Sequence, residues 1–344
     1  MKIPNVSGDE DSGSTDDQLV LRPLLASDTP ALAELFRSCY KETYHADIYK
    51  PDVIAAQITS GRRIGAVAEN TAGELVAHWG AMFISSLLVE SCGAVTDRRY
   101  QRRGLAAALS ASLLPRLQAS DVAGSYGEPV VTHTATQDMV LGQGYSFTGL
   151  RIHCFPPFEQ VGFTDGIQKD RVTLVVAFLA LKPLLAADVW VPAEYAEFLE
   201  IILRKNSWNR TMRVDAKRWS APPRTLCVVQ HLPDLGRSSI AVETVGDDLI
   251  AVVALALTAA RDAGSVNVEL KLPTAQPALA AIGGGLLALG FSFAAFVPIL
   301  REDSDVLILQ WLPCNPIDTA KWAHRSEDLR ELGLAILHQL RNFN

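Results

Sequence analysis

Residues 18–24 (QLVLRPL) alternate between apolar and polar, which predicts a strand. Ser27, Asp28 and Thr29 then offer N-caps for a helix through PALAELFRSCY, and a second short helix is expected after Pro51. The stretches RIGAVAEN (63–70), ELVAHWGAMFISS (74–86) and LLVESCGAVTD (87–97) read as three successive strands. A helix is expected from about Gly104 to Leu117, then a strand at PVVTHT (129–134) and a short helix at ATQDMVLG. GYSFTGLRIHCF and RVTLVVAFLAL (171–181) complete the first half as strands. The order β-α-α-β-β-β-α-β-α-β-β combines an antiparallel meander with a crossover helix, so the expected class is α+β with a mixed, mostly antiparallel sheet flanked by helices.

The second half is expected to begin near Lys182. In VPAEYAEFLEIILRKN, Tyr195, Phe198, Ile201 and Ile202 share a helix face. Strands follow at TLCVVQHL and SSIAVETV, then a helix at DDLIAVVALALTAARDAG and a strand at VNVELKLP. A helix rich in Ala, Gly and Leu leads to the strands GFSFAAFVPIL and VLILQWLP, and a helix from Ser326 closes the chain. The halves resemble copies: AVTDRRYQRRGLAAALSASLLPRL matches AVETVGDDLIAVVALALTAARDAG in pattern, as does VVTHTATQDMVLGQGYSF with LKLPTAQPALAAIGGGLLALGFSF. The expected organisation is therefore a disordered acidic tail at 1–17, a first domain at 18–181 and a degenerate repeat at 182–344.

Composition narrows the function classes. Hydrophobic residues make up 49% of the 344-residue chain and charged residues 20%, enough apolar material for a core. A formal net charge of −7 argues against a general nucleic-acid binder. The five cysteines are scattered, with no C-x-x-C pair and no metal-ligand spacing, which suits a reducing cytoplasm. The N-terminus lacks the apolar core of a signal peptide. The uncharged stretch 272–300 is long enough for a membrane span, yet its prolines and glycines favour a buried helix followed by a strand.

Against that acidic background, residues 98–103 (RRYQRR) hold four arginines, followed by Gly104 and the small side chains of LAAALS. A glycine after a strand and opening a helix lets backbone approach a ligand, and the first helical N–H groups lack intrahelical partners. Together with the arginines they make an anion site suited to a diphosphate. The competing reading of such a charge run is a solvated surface turn.

QRRGLA, Gln101 to Ala106, resembles the Q/R-x-x-G-x-G/A phosphate loop of the GNAT superfamily of N-acetyltransferases, and the order of elements over 18–181 is similar to that fold. The resemblance implies an acyl-CoA-dependent N-acyltransferase using acetyl-CoA or another acyl-CoA as co-substrate. It implies that Gln101, Arg102, Arg103, Gly104, Leu105 and Ala106 hold the pyrophosphate, and that Val95 and Thr96 lie on the strand that pairs with the pantetheine arm. Gln137 stands roughly where many relatives carry an asparagine that steadies the coenzyme. The next strand, with His133 and Thr134, would splay away to admit the arm. In the second half, Asp247 and Asp248 occupy the place of the arginines, where carboxylates cap a helix but repel a diphosphate.

Acyl transfer to an amine needs a base, a polarised carbonyl and a proton for the departing thiolate. Glu90, eleven residues before Gln101, is the first candidate base, its place similar to a glutamate in the histone-modifying branch; His133 and His78 are alternatives. The family's tyrosine acid falls on Val140, so Tyr145 is the remaining tyrosine candidate, with packing as its competing role. Cys92 lies on the right strand for a nucleophile but shows no histidine partner in sequence. The expected acceptor is a small-molecule or peptide amine, cationic by preference given the acidic balance, with no nucleic acid, membrane or metal involved. The alternative is a non-catalytic module that senses acyl-CoA or binds a protein.

Overall fold

Pro30 stands in the first turn of α1 (Thr29–Tyr40), where its missing N–H costs nothing, and Leu32, Ala33, Phe36, Cys39 and Tyr40 bury one face. The helix stops at Lys41, whose φ of 48° no further turn can follow. A computed structural model describes residues 18–164, 166–215, 220–313, 317–320 and 322–341. The acidic stretch 1–17 and Cys314 fall outside the described residues. The chain packs as two compact units, one formed by residues up to 83, 89–121 and 157–169, the other by 84–88, 122–156 and 170 onward. The class is mixed α+β, with mostly antiparallel strands flanked by helices, as expected.

The first unit holds β1 (Val20–Pro23), α1, α2 (Pro51–Thr59), β2 (Arg63–Glu69), β3 (Leu75–Phe83), β4 (Leu88–Thr96) and α3 (Leu105–Ala119). Strands β1-β2-β3-β4 lie in that order, each antiparallel to its neighbour. Leu105, Leu109, Leu113 and Leu117 of α3 are buried, while the Ala and Ser between them keep the helix thin.

The second unit holds β5 (Gly124–Gly127), α4 (Ala135–Gly142), β6 (Ser146–Phe155) and β7 (Val172–Ala180), then β8 (Ala187–Trp190), α5 (Ala196–Leu203) and β9 (Arg210–Arg213). It continues with β10 (Leu226–Leu232), β11 (Arg237–Thr244), α6 (Leu249–Asp262), β12 (Asn267–Pro273), α7 (Ala278–Ile282), α8 (Gly285–Ala288), β13 (Ser292–Arg301), β14 (Ser304–Trp311) and α9 (Glu327–Arg341). Its main sheet runs β5-β7-β6-β13-β14-β12-β11-β10, and β8 pairs with β9 separately. Read from each outer side, β5-β7-β6 and β12-β14-β13 have the same first-third-second order, and each triple is threaded strand, helix, hairpin.

Two expectations change. The strand expected at 129–134 is shifted: β5 forms earlier, at Gly124–Gly127, and of 129–134 only Val130 makes a bridge, to Leu174. Short β8 and β9 were not anticipated, because four residues are too few to show a period. The uncharged stretch 272–300 supplies the end of β12, α7, α8 and most of β13, and no described helix is long and apolar enough to cross a membrane.

The two triples meet where Gly149 on β6 faces Ala295 on β13. A Cβ on Gly149 would lie 2.1 Å from the Ala294 carbonyl oxygen and 2.4 Å from Ala295 Cα, so only glycine fits. Gly149→Ala is expected to destabilise the protein by about 3 kcal/mol through overpacking against backbone that cannot yield. Urea denaturation checks this; an unchanged midpoint would show that β6 and β13 separate easily.

Candidate functional site

Strand β4 and the loop after it carry the candidate chemistry of the first unit. Asp97 caps the turn that follows β4 by accepting from the Arg99 N–H at 2.8 Å, and its carboxylate also binds the Arg99 guanidinium. Tyr100 is buried, with the Arg103 guanidinium 4.9 Å above its ring. Arg102 and Gly104 both take left-handed backbone, with φ of 63° and 72°. That pair of left-handed residues turns the chain into α3. No side chain caps the helix at Gly104, and a Cβ there would meet nothing within 4 Å. Arg98, Arg102, Arg103 and Gly104 are all exposed. An uncapped helix N-terminus with free approach and several guanidiniums beside it is the kind of arrangement that suits an anion.

Gln101 behaves differently from its neighbours. Its side-chain amide donates to the carbonyls of Thr96 and Val161, each at 3.3 Å, so it ties the loop to the end of β4. Leu105 is buried in the core and Ala106 is half-buried, which leaves their backbone N–H groups as what they can offer a ligand.

Upstream, β4 carries a bulge. His78 pairs with Val95 and Gly80 with Cys92, so Gly93 and Ala94 together face the single residue Trp79. Gly93 adopts φ +70° there. The carbonyls around the bulge are held by side chains: Gly93 O lies 2.7 Å from His78 Nδ1, Ala94 O accepts from the Tyr40 hydroxyl at 3.2 Å, and Thr96 O also accepts from the Cys39 thiol at 3.6 Å. Val95 is buried beside them.

Glu90 and Cys92 lie on one face of β4. Glu90 is half-buried and pairs across the strands with Met82, which in turn pairs with Arg63. The Arg63 guanidinium is buried and reaches Gln57 Oε1 at 2.8 Å and the sulfurs of Cys92 and Met82 at 3.9 Å each. Tyr44 stands over this group, its ring 4.7 Å from that of Tyr40. Burial raises the Tyr44 phenol well above its ordinary range, and the nearby Cys92 and Glu90 add to the effect. Burial, followed by the Glu90 charge, pushes the Cys92 thiol up to about 12, so it is a poor nucleophile at neutral pH. Tyr44 and Arg63 escaped sequence reasoning because neither lies in a motif; cross-strand register brings Arg63 toward Glu90, and the loop after α1 brings Tyr44.

The second unit holds the other sequence candidates. Gln137, expected to steady a coenzyme, is fully buried; its amide donates to the carbonyls of Val130, His133 and Ala323 and accepts from the Arg325 N–H. Its capacity is spent on backbone, so the structure makes it an internal tie. Tyr145 is buried with its hydroxyl 2.7 Å from Ser125 Oγ, in a packing position. His133 and Thr134 are half-buried and precede α4 in an irregular segment rather than a strand. Val140, where the family's tyrosine would fall, is buried in the core.

The loop before α6 contrasts with the one before α3. A Cβ on Gly246 would lie 2.2 Å from the Arg224 carbonyl carbon and 2.4 Å from the Thr225 nitrogen. The Asp247 N–H donates to Pro222 O at 2.9 Å, and Asp248 accepts from the Thr225 N–H at 2.6 Å. The chain's own backbone thus fills the approach to this helix.

No group of three or more His, Cys, Asp or Glu among the described residues could hold a metal ion. No protein-family model and no curated protein matches the chain. Solved structures of GNAT acetyltransferases are similar to about half of it. The ribosomal-protein-S18-alanine N-acetyltransferase from Escherichia coli is 18% identical over 48% of this chain and 95% of its own, with a TM-score of 0.39. A phosphinothricin acetyltransferase from Sinorhizobium meliloti, solved with acetyl-CoA, is 17% identical over 48% of this chain and 89% of its own, at a TM-score of 0.37. An N-acetyltransferase from Thermoplasma acidophilum, solved with coenzyme A, is 12% identical over 47% of this chain and 99% of its own, at 0.36.

His78 is an inaccessible base. It has no exposed surface, and burial lowers its pKa to about 4, the bond to Gly93 O only partly opposing this. Because the unfolded histidine titrates near 6.5, the neutral ring stabilises the fold above that pH. The contribution is lost as pH falls from about 6.5 to about 4, to a total of about 3 kcal/mol. Denaturant unfolding at pH 7.5 and pH 5 checks this: His78→Asn is expected to flatten the difference, and an unaltered pH slope would contradict it.

Proposed function

We propose that this protein is an acyl-CoA-dependent N-acyltransferase, acetyl-CoA being the first donor to test and an amine the acceptor. The observation that carries the reading is the open, uncapped start of α3, with left-handed backbone at Arg102 and Gly104 and exposed guanidiniums around it. Such a cradle takes the diphosphate of coenzyme A on the N–H groups of residues 102–106, with Arg98, Arg102 and Arg103 supplying charge. The pantetheine arm then runs back along β4 past Thr96 and Val95. Glu90 takes the proton from the attacking ammonium, directly or through one water, so that the neutral amine adds to the thioester carbonyl. The tetrahedral intermediate collapses to the amide as the coenzyme thiolate leaves, and the nitrogen's second proton passes, through water, to the departing sulfur. The acidic balance of the chain and Glu90 itself favour a cationic amine.

The same reading makes the chain a tandem of two related domains, at 18–181 and 182–344. The matching order of β5-β7-β6 and β12-β14-β13 supports it. The second copy is degenerate, since backbone at 222–225 fills the space at Gly246. A second reading, a non-catalytic acyl-CoA sensor, is favoured by one feature: neither Val140 nor buried Tyr145 offers the acid that the family supplies. Turnover with any amine separates the two.

Calorimetry with acetyl-CoA tests the cradle. The wild type is expected to bind, and Gly104→Glu to weaken binding at least about a hundredfold, since the variant strains a left-handed residue and sets a carboxylate against the diphosphate. Equal binding by both proteins, or none by the wild type, would overturn the assignment. With an amine acceptor found by screening, Glu90→Gln is expected to lower kcat roughly a hundredfold and leave acetyl-CoA affinity unchanged. An unaltered kcat would remove Glu90 from the chemistry.

A further inference from the structure

His78 is an expensive residue for its position. The imidazole is fully buried between β2, β3 and β4, with the edge of the Phe36 ring 6.2 Å away, centroid to centroid. Three glycines make its space: a Cβ at Gly65 would lie 2.9 Å from Nε2, one at Gly80 3.0 Å from Cε1, and one at Gly93 3.2 Å from Cε1. Among the described residues Nε2 has no hydrogen-bond partner. A leucine would fill such a hole without burying an unsatisfied polar atom, so packing does not account for a histidine here. Its one polar tie is Nδ1 to the Gly93 carbonyl at 2.7 Å, and because a carbonyl only accepts, Nδ1 carries the proton.

That carbonyl belongs to the bulge of β4, where Gly93 and Ala94 oppose one residue of β3. A bulge releases backbone groups from the ladder. Here the Gly93 carbonyl is held from β3 by His78 and the Ala94 carbonyl from α1 by Tyr40. Two side chains from different elements therefore fix the tilt of successive peptide planes. If the diphosphate sits at Gly104 and the arm follows β4, its far end, the thioester, comes back to this bulge.

We infer that His78 is a positioning residue for acyl transfer: by donating Nδ1–H to the Gly93 carbonyl it sets the bulged backbone of Gly93 and Ala94 that receives the acyl thioester, without touching substrate itself. The inference rests on the acyl-CoA reading and adds to it a role for a residue outside the loop. The glycines at 65, 80 and 93 are part of the same device, since each gives up a side chain to seat the ring.

Three variants separate shape from the hydrogen bond. Asn places its amide donor where Nδ1 stands; Gln places it nearer Nε2, toward Gly65; Leu has volume and no donor. Calorimetry with coenzyme A and acetyl-CoA, and kcat with an amine acceptor, are measured for each. His78→Leu and His78→Gln are expected to keep coenzyme A affinity within about twofold and to lose kcat about thirtyfold or more, as for a reacting group displaced by a fraction of an ångström. His78→Asn is expected to recover kcat to within about threefold of the wild type. Wild-type kcat in the Leu or Gln variant, or an Asn variant as impaired as both, would overturn the inference and leave the acyl-CoA reading standing. If wild-type protein binds neither ligand, the acyl-CoA reading fails and this inference with it. Should the Leu variant not fold, the Asn and Gln pair decides alone.

Discussion

The arrangement of the candidate site depends on what holds the carbonyls of β4. At the bulge the regular ladder between β3 and β4 is interrupted, and a free buried carbonyl there would be costly. In the first unit three carbonyls at and beyond it are met by side chains: Gly93 by His78, Ala94 by Tyr40, Thr96 by Gln101 and Cys39. The donors come from β3, from α1 and from the loop that precedes α3. The strand end is thereby fixed from several directions at once, and the loop that leaves it starts from a defined place.

From that place the loop follows simple chemistry. Asp97 shapes its first turn and takes up Arg99, while Arg98, Arg102 and Arg103 are exposed. Left-handed backbone at Arg102 and Gly104 leads into α3 with open space at Gly104, where the first N–H groups of the helix lack intrahelical partners. At Gly246 the loop before α6 has Asp247 and Asp248 instead, and the segment 222–225 lies against it with Thr225 bonded to both Gly246 and Asp248. One helix start is open and cationic; the other is closed by its own chain. The difference in charge and the difference in access point the same way.

Much of this was legible in the residues. Gly104 after a strand and before an Ala-rich helix reads as an open helix start, and the structure has one there with the arginines exposed beside it. The order of elements over 18–181 was readable because most of its strands and helices are long enough to show a period. What was not legible came from long-range geometry. PVVTHT looks like a strand by composition, yet Gln137 draws the Val130 and His133 carbonyls onto its own amide and the segment stays irregular. The inward turn of Gln101 and the closure of Gly246 by residues 222–225 are likewise contacts between positions far apart in sequence. His78 reads as a candidate base in sequence; only the glycines at 65, 80 and 93 around it reveal a ring sealed from substrate.

The proposed site holds a coenzyme A diphosphate on the backbone at the start of α3, away from the start of α6. Amide hydrogen exchange with and without coenzyme A tests it directly, because it reads the N–H groups themselves. Protection is expected at residues 102–107, extending back along β4 toward Gly93, with residues 222–250 unchanged. Protection centred on 222–250, or none at residues 102–107 under saturating ligand, would contradict it.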